Sequence, residues 1–169
     1  GNGALASNVD GSLSVAFGNL ALNSNVSGLY NAAFGYQALQ SSTVSYNTAV
    51  GNASQRLNST GQYNTAVGHS TLYSNNTGRD NTAMGHSSLW NNTASYNTAV
   101  GSYTLNANTT GTKNTTTGYS SLRYVTIGDY NTAFGAEALY FPDNGSSANT
   151  AVGYRAGYGT TLEEFSNGV

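Results

Sequence analysis

The stretch "SYNTAVG" stands at residues 45–51 and again, letter for letter, at 95–101, with "YNTAVG" at 63–68 and "DNTAMG" at 80–85 between them. A chain that keeps writing one short β-branched segment is repeating a structural unit, so the period is the first quantity to establish. The glycines that close each motif are Gly18, Gly35, Gly51, Gly68, Gly85, Gly101, Gly118, Gly135 and Gly153. They are 16 to 18 residues apart, the length of one solenoid coil. One more step back reaches Gly1, with Ala4-Leu5 matching Ala21-Leu22, and "SNGV" at 166–169 reads as the opening of a further strand. The expectation is a single repeat array over 1–169 that begins and ends inside a repeat, as a fragment of a longer fibre does.

Columns read down the repeats give the physics of one coil. Four residues before the glycine stands Asn in eight coils, among them Asn47, Asn64, Asn81, Asn97 and Asn131. Stacked coils would turn this column into a ladder of side-chain amides. One residue before the glycine come Phe17, Phe34, Val50, Val67, Met84, Val100, Thr117, Phe134 and Val152, a column expected to form a core. Two before it stands Ala in eight of nine coils, on the opposite face of the strand, where uniform smallness suggests close approach of something else. Four after the glycine, Leu recurs (Leu22, Leu39, Leu72, Leu89, Leu105, Leu122, Leu139) as a second core column, with Gln55 and Gly157 departing from it.

No segment offers apolar residues at helical spacing over three turns, whereas Thr and Val recur in short runs bounded by Gly, Asn and Ser. The fold class is all-β: a parallel β-solenoid of about ten coils, stacked at about 4.8 Å to make a rod on the order of 45 Å long. One coil could not stand alone, because two or three apolar side chains do not offset the cost of ordering 17 residues at roughly 1–2 kcal/mol each. Equivalent positions in adjacent coils touch, and so prefer the same residue. Ten residues after the motif glycine a second glycine recurs (Gly11, Gly28, Gly61, Gly78, Gly111, Gly128, Gly145), replaced by Ser45 and Ser95 in the two 16-residue coils. The expectation is a turn whose extra residue needs positive φ.

Charged residues are 7% of the chain and the formal net charge is −2, so there is no basic footprint for nucleic acid. No run of eighteen apolar residues suggests a membrane span, and without cysteine there is no thiolate or disulfide chemistry.

The run "YNTAVGHSTLYSNNTGRDNTAMGHSSL" at 63–89 resembles the β-roll repeats in the heads of trimeric autotransporter adhesins. It is closer still to the Asn-Thr-Ala-Val-Gly arrays of phage and giant-virus tail-fibre proteins. The coils here are longer than the adhesin repeat, and Thr takes the place of its Val. The resemblance implies a left-handed coil, three chains side by side about a common axis, and an extracellular setting on a virion tail fibre or a cell surface. The Ala column would be the face that permits such packing.

Little in the sequence suggests chemistry. His69 and His86 share one column and could in principle hold a metal, but that column otherwise carries Tyr, Asn and Ser, and surface substitution is the simpler reading. Asp129, Glu137, Asp143, Glu163 and Glu164 form no acid/base pair at matching positions. No enzyme activity, metal or cofactor is expected. Asn-x-Ser/Thr triplets at Asn25, Asn58, Asn75 and Asn108 follow from composition.

Two binding readings stand beside scaffolding. Tyr30, Tyr46, Tyr63, Tyr96 and Tyr130 recur five before the motif glycine and suit stacking on sugar rings of a host-surface glycan, against the simpler role of covering a corner between coils. The Thr-x-Val pairs (Thr48/Val50, Thr65/Val67, Thr98/Val100, Thr150/Val152) have the spacing of flat ice-binding solenoids, although Phe17, Phe34, Met84 and Phe134 interrupt the column. The expectation is therefore a structural segment of an extracellular fibre, a phage tail fibre or surface adhesin, that associates with itself as a homotrimer. An ice-binding solenoid is the alternative.

Overall fold

The computed structural model describes residues 1–140 and 145–159. Nine three-residue strands follow one another: β1 (Val15–Phe17), β2 (Ala32–Phe34), β3 (Thr48–Val50), β4 (Thr65–Val67), β5 (Thr82–Met84), β6 (Thr98–Val100), β7 (Thr115–Thr117), β8 (Thr132–Phe134) and β9 (Thr150–Val152). They form one parallel sheet in chain order, each strand paired with the next. The register is the sequence repeat itself. Val50 lies beside Val67, Val67 beside Met84, and Met84 beside Val100. The chain is thus an all-β solenoid of eight full turns between β1 and β9, with residues 1–14 continuing the winding through bonds such as Leu5 N–H to Ala21 O.

The faces of the strand are the reverse of the expected ones. The Ala column points inward: Ala33, Ala49, Ala66, Ala83 and Ala99 are fully buried. The column before the glycine points to solvent, with Phe17 72%, Phe134 57% and Val152 70% exposed. Val50, Val67 and Val100 share this outer face and line up in register, but they are not core. The reason is the thinness of the coil. Leu72, Leu89, Leu105 and Leu122 come from the opposite wall, are completely buried, and pack in one cluster with Ala66, Ala83 and Ala99. With Leu filling the lumen, only a methyl fits across from it. Each buried Leu contributes about 1.5–3 kcal/mol, so this column is the main apolar support of its coil.

Much of the remaining interior is amide. In the column four before the glycine, each Asn accepts at Oδ1 from the backbone N–H of its counterpart one coil on: Asn47 N–H to Asn31 at 2.9 Å, Asn64 to Asn47 at 3.1 Å, Asn81 to Asn64 at 3.0 Å, Asn97 to Asn81 at 2.9 Å. The ladder runs on through Asn114, Asn131 and Asn149. In Asn64, Asn81, Asn114 and Asn131 the side-chain nitrogen donates both to the preceding Oδ1 and to a corner carbonyl, as Asn64 does to Asn47 at 3.3 Å and to Gly78 O at 2.8 Å. Buried amides satisfied on every side stabilise the stack; one left unpaired would cost about 1–3 kcal/mol.

A second asparagine ladder stands seven residues after the glycine. Asn25, Asn58, Asn75, Asn92 and Asn108 are fully buried. Asn92 donates to Asn75 Oδ1 at 3.1 Å, and Asn58 and Asn75 each donate to the carbonyl three residues on. This places four of the Asn-x-Ser/Thr asparagines inside the wall, where no glycan could be attached.

Departures from the column consensus are repaired locally. Gln55, standing for Leu, is buried and donates to Thr48 O and Asn64 O while accepting from Asn58. Thr116, standing for Ala, is buried and shares a hydrogen bond with Ser121 from the opposite wall.

The second glycine column has a different cause from the one expected. Gly28, Gly61, Gly78 and Gly111 do not adopt positive φ. A Cβ at Gly61 would lie 2.2 Å from Gly78 O and 2.7 Å from Asn58 Oδ1, so what the position requires is room for the next coil and for the asparagine beneath it. Length and residue type do change together, because the 16-residue coils shorten this corner: Asn92 reaches Ala94 O two residues on instead of three. Their counterparts of the glycine are Val44 and Ala94, which face Gly28 and Gly78 across the stack, and not Ser45 and Ser95. The motif glycines do need their conformation, with φ of 128° at Gly51 and 136° at Gly68.

Candidate functional surface

The described residues present three outward features. The first is the outer face of the sheet, where the Thr column (Thr48, Thr65, Thr82, Thr98, Thr115, Thr132, Thr150) runs beside the column Phe17 to Val152, with no charged residue in either. Parallel pairing sets the strands about 4.8 Å apart, so hydroxyl and methyl groups repeat along a regular, uncharged strip.

The second feature is the tyrosine corner. Tyr30, Tyr46, Tyr63, Tyr96 and Tyr130 are all about half exposed. Each has positive φ, from 55° at Tyr30 to 65° at Tyr46, because the chain reverses direction there just before the buried Asn. A left-handed conformation in a bulky residue costs on the order of 1 kcal/mol or more, and it aims the ring away from the wall. Tyr30, Tyr46 and Tyr63 stack face to face at 5.2 and 5.0 Å, within 10° of parallel. Tyr96 and Tyr130 join no such stack. Arg79 Cζ lies 5.7 Å from the ring centre of Tyr96, and Lys113 Nζ lies 4.9 Å from that of Tyr130 while donating to its hydroxyl at 3.0 Å. That hydrogen bond raises the Lys113 pKa above its ordinary value. The tyrosines occupy the corner and expose their rings at the same time.

The third feature is a mixed aromatic surface that the sequence reading missed. Five residues after the motif glycine, Tyr73 and Trp90 stack at 5.5 Å, and Arg56 donates to the Tyr73 hydroxyl at 2.8 Å and to Gln40 Oε1 at 3.0 Å. The signal is present as a column of its own (Gln40, Arg56, Tyr73, Trp90, Asn106, Arg123, Tyr140, Tyr158), but its residues vary in kind and so do not announce a repeat.

The histidines do share a column. His69 and His86 stack at 5.2 Å between ring centres, and His86 meets Tyr103 edge-on at 4.8 Å. Among the described residues no three of His, Cys, Asp and Glu converge on a point. Glu137 accepts from Arg155 at 2.6 Å, which raises the arginine's pKa, and Asp129 accepts from the Thr112 hydroxyl at 2.9 Å; both carboxylates link one coil to the next. Asp143, Glu163 and Glu164 lie outside the described residues. No helix among the described residues is long and apolar enough to cross a membrane.

Comparison with protein-family models, with curated proteins and with solved structures finds no match to this chain.

Proposed function

We propose that this chain is a structural segment of an extracellular fibre, a phage tail fibre or surface adhesin, that works by its shape and contacts and carries out no chemistry. The observation that supports it most is the in-register stack of strands, in which the asparagines four before the motif glycine bond from each coil to the next. Such a unit extends in one direction by adding identical coils, which is what a rod needs. The resemblance of "YNTAVGHSTLYSNNTGRDNTAMGHSSL" to tail-fibre arrays and adhesin heads points the same way. In this reading the chain forms a homotrimer and its exposed tyrosines meet host-surface glycans. The alanine column cannot be the chain-to-chain surface, since it is fully enclosed. The uncharged outer sheet face takes that role. Light scattering tests the association: a mass three times the 17.4 kDa of the chain is expected, and a monomer would remove the trimer. Electron micrographs without rods would remove the fibre.

Ice binding is a second reading with an observation of its own. Thr65, Thr115, Thr132 and Thr150 are exposed on the same face as Val50 and Val152, which is the arrangement an ice plane requires. The bulky Phe17, Phe34, Met84 and Phe134 break the regularity of that face. Thermal hysteresis in the purified protein decides: clear activity favours ice over fibre, and none removes it.

A further inference from the structure

The second asparagine ladder loses its amide at two rungs, Ser42 and Val125. The rung before each keeps a buried oxygen that bonds no protein group: Asn25 Oδ1 before Ser42, and Asn108 Oδ1 before Val125. The two breaks differ in kind. Val125 is apolar, whereas the Ser42 hydroxyl is itself fully buried and also bonds no protein group, so two polar groups in neighbouring rungs share the same need. The other 16-residue coil shows what the Ser42 rung lacks. There Asn92 Nδ2 donates to Asn75 Oδ1 at 3.1 Å and to Ala94 O at 2.7 Å, bridging the rung before it to its own corner. The same two acceptors stand in the same places around Ser42. A Cβ built on Gly78 would strike Asn75 Oδ1 and Ala94 O, and one built on Gly28 would strike Asn25 Oδ1 and Val44 O. Ala94 O also accepts from Asn81 Nδ2, as Val44 O does from Asn31 Nδ2. Serine is too short to supply the bridging nitrogen. The amides that bond to Asn92 Oδ1 in one coil have turned elsewhere in the other: Asn108 and Asn97 donate to Asn92, while their counterparts Asn58 and Asn47 donate to Gln55 Oε1 at 3.1 Å and to Ser45 O at 3.2 Å.

We propose that the wall at Ser42 binds one internal water molecule, in the position that Asn92 Nδ2 takes in the other short coil. The occupant of that position must donate twice, to Asn25 Oδ1 and to Val44 O, and accept once from the Ser42 hydroxyl. Water does all three, and two to four polar partners are what a buried water requires. The two donated bonds are those the Asn92 amide makes, so the water stands in for the end of a side chain and keeps the rung connected to the coil before it. A metal ion could also be ringed by oxygens. Among the described residues, however, no carboxylate is buried, and a charge enclosed without a counter-charge costs far more than a neutral molecule that is fully hydrogen-bonded. Val125 forms no equivalent site, because an apolar side chain there leaves Asn108 Oδ1 as a single acceptor with no second polar group from its own rung.

A crystal structure of the full chain tests the site directly. A single peak of density is expected within about 2.5–3.2 Å of Asn25 Oδ1, Ser42 Oγ and Val44 O. In a Ser42→Asn variant the amide should take the place of that peak and donate to the same two acceptors. Oxygen-17 relaxation dispersion of the solvent, which counts long-lived internal waters, should then find one fewer in Ser42→Asn than in the wild type. Should asparagine not fit beside Gln55, the wild-type density decides without the variant. A well-ordered wall with no density at this position overturns the proposal, as does a peak ringed by about six or more oxygens, which is the coordination of a bound Ca²⁺. Equal counts of internal water in the wild type and a folded Ser42→Asn variant overturn it as well.

Discussion

The two sides of the same three-residue strands are built in opposite ways. The outer side carries Phe17, Val50, Met84 and Phe134 in water, while a single methyl from Ala49, Ala83 or Ala133 faces inward. Beyond that methyl the interior is a column of leucine, two ladders of asparagine and a column of small residues three after the glycine, among them Ser54, Thr71, Ser88 and Thr104. Apolar size therefore does not decide which side is buried. The lumen is too narrow for two large side chains at one level, and amides that bond from coil to coil fill the remainder at little cost.

Substitutions on the two sides should differ accordingly. The largest effect is expected of Leu72→Ala, which empties a fully buried site and should cost about 3 kcal/mol, read as a fall in the guanidinium midpoint. Asn64→Ala comes next. It removes the amide that bonds Asn47 Oδ1 and Gly78 O and the acceptor for Asn81 N–H, and should cost roughly 2–3 kcal/mol. A loss as small as that of a surface residue would show that the amides are not what couples the coils. Asp80→Gly has the opposite sign: relieving positive φ at 56° should raise stability by up to about 1 kcal/mol, at the expense of the weak, exposed ion pair with Arg79. The smallest effect is expected of Val67→Thr on the outer face, within about 0.5 kcal/mol of wild type. A cost comparable to that of Leu72→Ala would erase the distinction between the sides.

Much of this architecture was legible in the sequence. The glycine spacing gave the coil length and the pairing of like with like, and the asparagine and leucine columns were read with their proper roles. The side of the strand was misjudged because alternation separates two faces without saying which is inside. The variability of the column from Phe17 to Val152, set against the near-uniform Ala column, was the available clue. Solvent tolerates change of size and a narrow lumen does not. The second asparagine ladder is visible in the sequence as Asn25, Asn58, Asn75, Asn92 and Asn108, but four of these, Asn25, Asn58, Asn75 and Asn108, also fall in Asn-x-Ser/Thr triplets that composition alone explains, and Asn92 carries no signal of its own. Positive φ at Leu22, Leu72 or Tyr63 had no local signal, since glycine and asparagine are the residues that ordinarily mark it. Only the stacked arrangement, with Leu72 N–H donating to Ser88 O of the next coil, makes that conformation worth its strain.

Which way each side chain of one strand points is open to direct measurement, because the chain contains no cysteine. Single cysteines at Thr65, Ala66 and Val67, reacted with a thiol reagent under native conditions, report the three positions of β4 in turn. Rapid labelling is expected at 65 and 67, with labelling at 66 slower by a hundredfold or more until the protein is unfolded. The reverse order, position 66 open and position 67 protected, would contradict a solenoid lined by alanine, leucine and asparagine.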